Sequence, residues 1–271
     1  MSGERDDLEN SFFVAEGERD PMRSAAQGGR PVLPKRFYKQ AEAAPVEGGF
    51  AVLLDGKPVR TPAKRPLVAP HEGLGRAMAA EWAAREEFLN PLTMPLTKLA
   101  NSAIDGVASQ MAEVEADAVK YAGSDLICYR AGGPEGLVKA QAEAWDPYLR
   151  FAREKCGARL ILSEGVVFHA QPPEALEGIA ARVRAHVGEG PAAPFRLAAL
   201  HTITTLTGSC VIALAVALRE MDAEAAFKAA HVDEDYQMRV WGADEEALAR
   251  RARRLADMLA AAQMSAFCAE A

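Results

Sequence analysis

The apolar positions of this chain follow two different periods, and the change falls near residue 70. Before it they come in short runs. Phe37-Tyr38 suits a first strand, and Phe50, Val52 and Leu54 alternate with Ala51 and Leu53 at the period of two of a strand. Asp55-Gly56 follows at once, ahead of Lys57-Pro58-Val59-Arg60, and both residues tolerate the positive φ of a tight hairpin turn. Thr61-Pro62 closes that strand and Leu67-Val68 begins another. These segments predict a small antiparallel meander that needs a helix on its apolar face. Leu74, Met78, Trp82, Arg85 and Leu89 recur at steps of three and four and predict that helix, with Asn90-Pro91 ending it. After Thr93-Met94-Pro95 a second stripe begins, formed by Leu96, Leu99, Ala100, Ala103, Ile104 and Val107.

Everything downstream keeps a helical period. Met111, Val114, Ala118 and Tyr121 form one face, broken by Gly132-Gly133-Pro134, and Val138, Gln141, Trp145 and Leu149 form the next, up to Cys156-Gly157. Leu160-Ile161-Leu162 and Val166-Val167-Phe168 flank Glu164-Gly165 and predict a brief hairpin or an extended connector. Pro172-Pro173 opens a helix carrying Leu176, Ile179, Val183 and Val187. The run from Phe195 to Leu218 is apolar almost all round, which predicts a central buried helix or pair of helices, with Gly208 as the bend or the point of close approach. Asp222 caps a helix expected to run through Trp241 to Gly242, and Asp244 caps a last one with Leu248, Arg251, Leu255, Met258, Leu259 and Ala262 along one side. The fold class that follows is α+β: a small N-terminal antiparallel β-meander packed on a helix (35–100), then a larger all-helical C-terminal domain (101–271). Residues 1–34 are charged and without period and are expected to be a disordered tail, in which Ser11-Phe12-Phe13-Val14 is a candidate docking segment.

Composition narrows the function more than the fold. With 49% apolar and 25% charged residues the chain reads as a soluble globular protein, and a net charge of −7 argues against a nucleic-acid binder or a partner of anionic membranes. The uncharged run from Thr202 to Leu218 carries threonines, a serine and a glycine, so it reads as a core helix and no membrane insertion is expected. The acids of the first 34 residues do not suit an export or transit signal, which points to the cytoplasm. Cys128, Cys156, Cys210 and Cys268 lie far apart and read as reduced thiols.

Motifs for nucleotide, serine-hydrolase and zinc-protease chemistry are absent from the sequence. His231 and Asp235 are spaced to share a helix face, but a surface ion pair is the ordinary meaning of that pattern and no metal is assigned. His201 beside Thr204, Thr205 and Ser209 raises an alternative, a small-molecule enzyme of unrecognised class with its pocket around His201 and Thr205. The basic block Arg250, Arg251, Arg253 and Arg254 reads as a solvated helix face. The stretch that stands out is Asp233-Glu234-Asp235-Tyr236-Gln237 ahead of Val240-Trp241-Gly242. Acids two and three residues from Tyr236, and about two turns from the tryptophan, make a mixed acidic and aromatic surface suited to protein recognition, unless Trp241 is core and the acids merely solvated.

Arg36-Phe37-Tyr38-Lys39, Leu54-Asp55-Gly56-Lys57-Pro58-Val59-Arg60-Thr61-Pro62, Glu81-Trp82, Met94-Pro95-Leu96-Thr97-Lys98-Leu99-Ala100-Asn101, Ala103-Ile104-Asp105 and Trp241-Gly242 occur in this order. Together they resemble the Atp-twelve type of assembly chaperone for the catalytic head of F-type ATP synthase, over about residues 35 to 255. The resemblance implies a small α+β domain followed by a helical one, no catalysis and no cofactor. It also implies binding of the free alpha subunit, later released to the beta subunit, by a protein that is a monomer when free. The setting implied is the bacterial cytoplasm, or the mitochondrial matrix for eukaryotic relatives. It gives Trp82 a part in keeping the protein working, which its place on an apolar stripe makes one of stability. It gives a functional role to an acid before the aromatic and Trp-Gly, matched here by Asp233 or Glu234. The expected partner-binding set is therefore Asp233, Glu234, Asp235, Tyr236 and Trp241.

Overall fold

The computed structural model of the chain describes residues 33–84, 87–165, 167–242 and 244–269. The tail expected at 1–34, with its candidate segment at 11–14, lies outside these apart from Leu33 and Pro34, as do Arg85 and Val166 of the apolar runs. The described residues divide into two units, one up to Ser109 and one from Gln110 on. Helix Pro95–Asp105 lies whole within the first unit.

In the first unit, β1 (Ala41–Val46) and β2 (Gly49–Leu54) pair antiparallel from Ala41↔Leu54 to Val46↔Gly49. The opposite edge of β2 takes both β3 (Lys57–Pro58) and β4 (Val68–Ala69). The predicted hairpin is present: Asp55 and Gly56 take φ of 47° and 78°, the pair of positive values a two-residue turn needs. Asp55 also accepts hydrogen bonds from the backbone N–H of Lys39 and Gln40, which lower its pKa and tie the turn to the chain entering β1.

The first strand is not Phe37-Tyr38. Strand β1 has weak apolar alternation, and Phe37 and Tyr38 instead belong to a segment running beside residues 87–89: Lys35 bridges to Phe88, and Leu89 N–H donates to the Pro34 carbonyl. That same pairing ends helix α1 (Glu72–Ala83) before Leu89. The Tyr38 hydroxyl donates to the Trp82 carbonyl at 2.5 Å, and the Arg36 guanidinium reaches the carbonyls of Ala83 and Ala84. These groups satisfy carbonyls that a further helical turn would otherwise use. Leu74, Met78 and Trp82 are buried, as their spacing predicts, and α1 packs on β1 and β2.

Helix α2 (Pro95–Asp105) has no side-chain cap of its own at Met94. Glu81 of α1 supplies one, its two carboxylate oxygens accepting from the N–H groups of Leu96 (2.7 Å) and Thr97 (2.8 Å). At the other end Asp105 accepts from the Thr61 hydroxyl and the Ala63 N–H. Glu81, Asp55, Thr61 and Asp105, all within the ordered motifs of the sequence, thus work as joints of this unit.

The second unit is built on α6 (Ala193–Thr207) and α7 (Cys210–Ala217), the predicted apolar pair. All residues of α7 are buried. Gly208, at φ 67°, closes α6, and Ser209 restarts the chain by accepting from Ile212 N–H. Around them lie α3 (Met111–Lys120), α4 (Glu135–Lys155), α5 (Pro173–Val187), α8 (Ala223–Ala230), α9 (Val232–Trp241) and α10 (Glu245–Cys268), the last packed along α6. The stripe expected on α10 is displaced: Leu248 and Leu259 are exposed, and Met258, Ala261, Met264 and Cys268 face the core. Between α4 and α5 the chain forms an extended connector rather than a hairpin. Within it β6 (Ser163–Glu164) pairs parallel with β5 (Tyr129–Arg130), which precedes α4. Asp125 is fully buried where α7 begins, accepting from Ile127 and Val211 N–H, and desolvation pushes its carboxyl up to about 6. The four cysteines are free, and burial raises every thiol, Cys156 to about 11 and Cys128 and Cys268 to about 12, so none has thiolate character near neutrality.

Candidate functional site

The helix expected from Asp222 to Trp241 is two helices. Asp222 caps α8 by accepting from Ala225 N–H, and α8 ends at Ala230. His231 interrupts at φ −113°, ψ 21°, buried, its ring 4.1 Å from that of Phe227 and its Nδ1–H donating to the Phe227 carbonyl at 2.7 Å. A buried side chain bonded back to its own turn competes with straight continuation of the helix. Burial holds this imidazole below its ordinary range, against the opposing pull of that carbonyl and of Glu234. Helix α9 then restarts with Asp233, Glu234 and Asp235 in its first turn, where the helix dipole favours anions, and closes at Gly242 with φ 92°.

No residue of α9 is buried. It is held to its unit by polar and aromatic contacts. Asp233 Oδ1 accepts from Gln141 Nε2 at 2.8 Å, and the Gln141 Oε1 accepts from Ala131 N–H at 2.8 Å, so one buried amide joins α9, α4 and the strand end after β5. Asp235 pairs with Arg251 of α10. The Tyr236 ring lies against Gly136 at the start of α4, under the Arg239 guanidinium, 5.3 Å from the ring centroid. Glu234, Gln237, Val240 and Trp241 are exposed and take no part in these tethers. Trp241 is 86% exposed and Val240 56%.

The expected site residues therefore separate. Asp233, Asp235 and Tyr236 bind their own unit, whereas Glu234 and Trp241 face solvent. Trp82 belongs to the first unit and is 5% exposed in its core, its ring 5.9 Å from that of Tyr38. His231 and Asp235 do not form a metal pair, one being bonded to Phe227 and the other to Arg251. At the alternative pocket, His201 Nε2 meets Asp117 Oδ2 at 2.9 Å on the surface. Thr205 is exposed and donates to the Thr202 carbonyl, while Thr204 and Thr207 donate to carbonyls of their own helix. His201 and Thr205 are not joined into a nucleophile and base by any of these bonds. Gln141 was legible in the sequence only as a position on a helix face, since its spacing carries nothing about the two groups it joins.

The family model described as ATP12 chaperone protein matches residues 35–153. The mitochondrial protein atp12 of Schizosaccharomyces pombe is 23% identical over 225 residues, 79% of this chain and 75% of its own length. Among solved structures, a candidate chaperone of Agrobacterium tumefaciens is 47% identical with a TM-score of 0.83, covering 98% of this chain and 97% of its own. Atp12 of Paracoccus denitrificans is 43% identical with a TM-score of 0.78, covering 86% and 98% respectively.

Proposed function

We propose that this chain, which belongs to the ATP12 chaperone family and is an ATP synthase assembly chaperone, holds the free alpha subunit until the beta subunit takes its place. The observation that carries this reading is the exposed end of α9. A tryptophan 86% open to solvent beside a half-open valine, with Glu234 about two turns before them, offers an aromatic anchor with a charge to set its register. An unassembled subunit exposes apolar interface that invites aggregation, and a temporary cover prevents it. The exchange needs no nucleotide if the final interface is larger than the temporary one. No helix among the described residues is long and apolar enough to cross a membrane.

The test is the affinity of the purified protein for isolated alpha subunit. Trp241→Ser and Glu234→Lys are expected to weaken it at least tenfold, with thermal unfolding unchanged for the first, whose side chain is not packed, and stability lowered by no more than about 1 kcal/mol for the second, which reverses a charge in the first turn of α9. Full affinity in both variants overturns the assignment of this surface. Failure of the wild-type chain to bind alpha overturns the partner.

A further inference from the structure

The connector 156–172 between α4 and α5 displays four large apolar side chains that no part of the reading above uses. Phe168 is 64% exposed, Val167 60%, Leu162 47% and Ile161 43%. The backbone that carries them is pinned. Gln171 is buried and clasps Ile161 from both sides, its Oε1 accepting from the Ile161 N–H at 2.8 Å and its Nε2 donating to the Ile161 carbonyl at 2.9 Å. The Ser163 hydroxyl donates to the Val167 carbonyl, and His169 Nδ1 lies 3.1 Å from the same hydroxyl. Ser163 and Glu164 are paired to β5, and Gly165 N–H donates to the Arg130 carbonyl. A segment so held cannot fold its apolar side chains inward, so their exposure is built in.

The connector is also tied, through segment 129–134, to the first turn of α9. Glu164 packs on Gly132, and Ala131 beside it donates to Gln141, which in turn donates to Asp233. Segment 129–134 therefore touches both elements, the first turn of α9 through Gln141 and Asp233 and the connector through Glu164. Area sets the need for both. A stable interface takes about 800 Å² from each partner, and the outward face of one ten-residue helix offers well under that.

We infer that the partner surface crosses segment 129–134 and that Ile161, Leu162, Val167 and Phe168 form its second apolar lobe, covered by the apolar inter-subunit face of the same alpha subunit. This rests on the partner proposed above. Charge favours that occupant over a lipid surface: residues 158–171 hold one arginine, one histidine and one glutamate, and the chain carries −7 overall, whereas an anionic bilayer selects clustered cations.

The experiment compares isolated alpha subunit binding to the wild-type chain, to the double variant Val167→Ser, Phe168→Ser, and to Trp241→Ser. Both altered side chains of the double variant stand in solvent, so its fold is expected to hold, and thermal unfolding checks that it does. The inference expects the double variant to lose at least about tenfold in affinity. Wild-type affinity in the double variant alongside weakened binding by Trp241→Ser overturns the second lobe and leaves the α9 surface standing. Absence of binding by the wild-type chain overturns the partner, and the lobe's occupant with it.

Discussion

Glu81 and Trp82 are neighbours in α1 with unlike work. The indole fills the core of the first unit, while the carboxylate leaves its own helix to cap α2, a service worth about 1 kcal/mol when a side chain provides it. Burial raises the Glu81 carboxyl against the lowering effect of the Thr97 and Leu96 bonds. A residue-scale consequence appears most plainly at His186, in the last turn of α5. Burial first, then Arg196 and Arg182, hold its imidazole down to about 4. Between pH 6.5 and 4 the unfolded chain binds a proton at this residue that the folded one does not, so stability from this group falls as pH falls through that window. A His186→Gln variant should lose less stability on acidification, by on the order of 2–3 kcal/mol at pH 4 relative to pH 7. Urea unfolding across that range measures the difference, and parallel pH profiles for the two proteins would refute it. Asp125 acts in the opposite sense: its carboxyl, raised to about 6, lowers stability as pH rises through that value, so only the difference between wild type and variant isolates the histidine.

At the scale of elements, the contrast between α7 and α9 explains why one is core and the other surface. Helix α7 has every residue buried and is held by apolar packing from all sides. Helix α9 has none buried and hangs on Gln141, Arg251 and the contact of Tyr236 with Gly136. An element held by a few polar contacts opens at lower free energy than the core. Gln141→Ala should therefore speed amide exchange across residues 232–241 by at least tenfold while leaving α6 and α7 much less affected, since it removes the tether of Asp233 and strands the Ala131 N–H. Uniform acceleration across the helical unit would instead make Gln141 a general core residue. The same argument assigns Asp233 to anchoring α9 and leaves Glu234 as the acid that faces outward.

For the whole molecule, the proposed cycle requires a cover that is specific yet replaceable. Beta subunit added to a preformed complex should release alpha without ATP, at a rate rising with its concentration or set by spontaneous dissociation. Gel filtration or a fluorescence label on alpha reports the exchange, and a strict need for ATP hydrolysis would sink competition as the release step. What the sequence by itself determined is what local chemistry specifies. The alternation of Phe50 to Leu54, the Asp55-Gly56 turn, the caps at Asp222 and Asp244 and the all-apolar run around Gly208 each need only neighbouring residues, and each is found in the structure. The ordered motifs were legible as a family signature, though not as the joints that Asp55, Glu81 and Asp105 make. Tertiary structure decided the rest. The period of α1 runs on to Leu89, but Tyr38 and Arg36 take its last carbonyls and turn the chain at Ala83. His231 divides one capped run into two because a buried pocket claims its ring. Which acid of Asp233-Glu234-Asp235 remains free depends on Gln141, 92 positions away in the chain, and on Arg251. Periodicity tells which residues share a face, but only the packing of distant elements tells what that face meets.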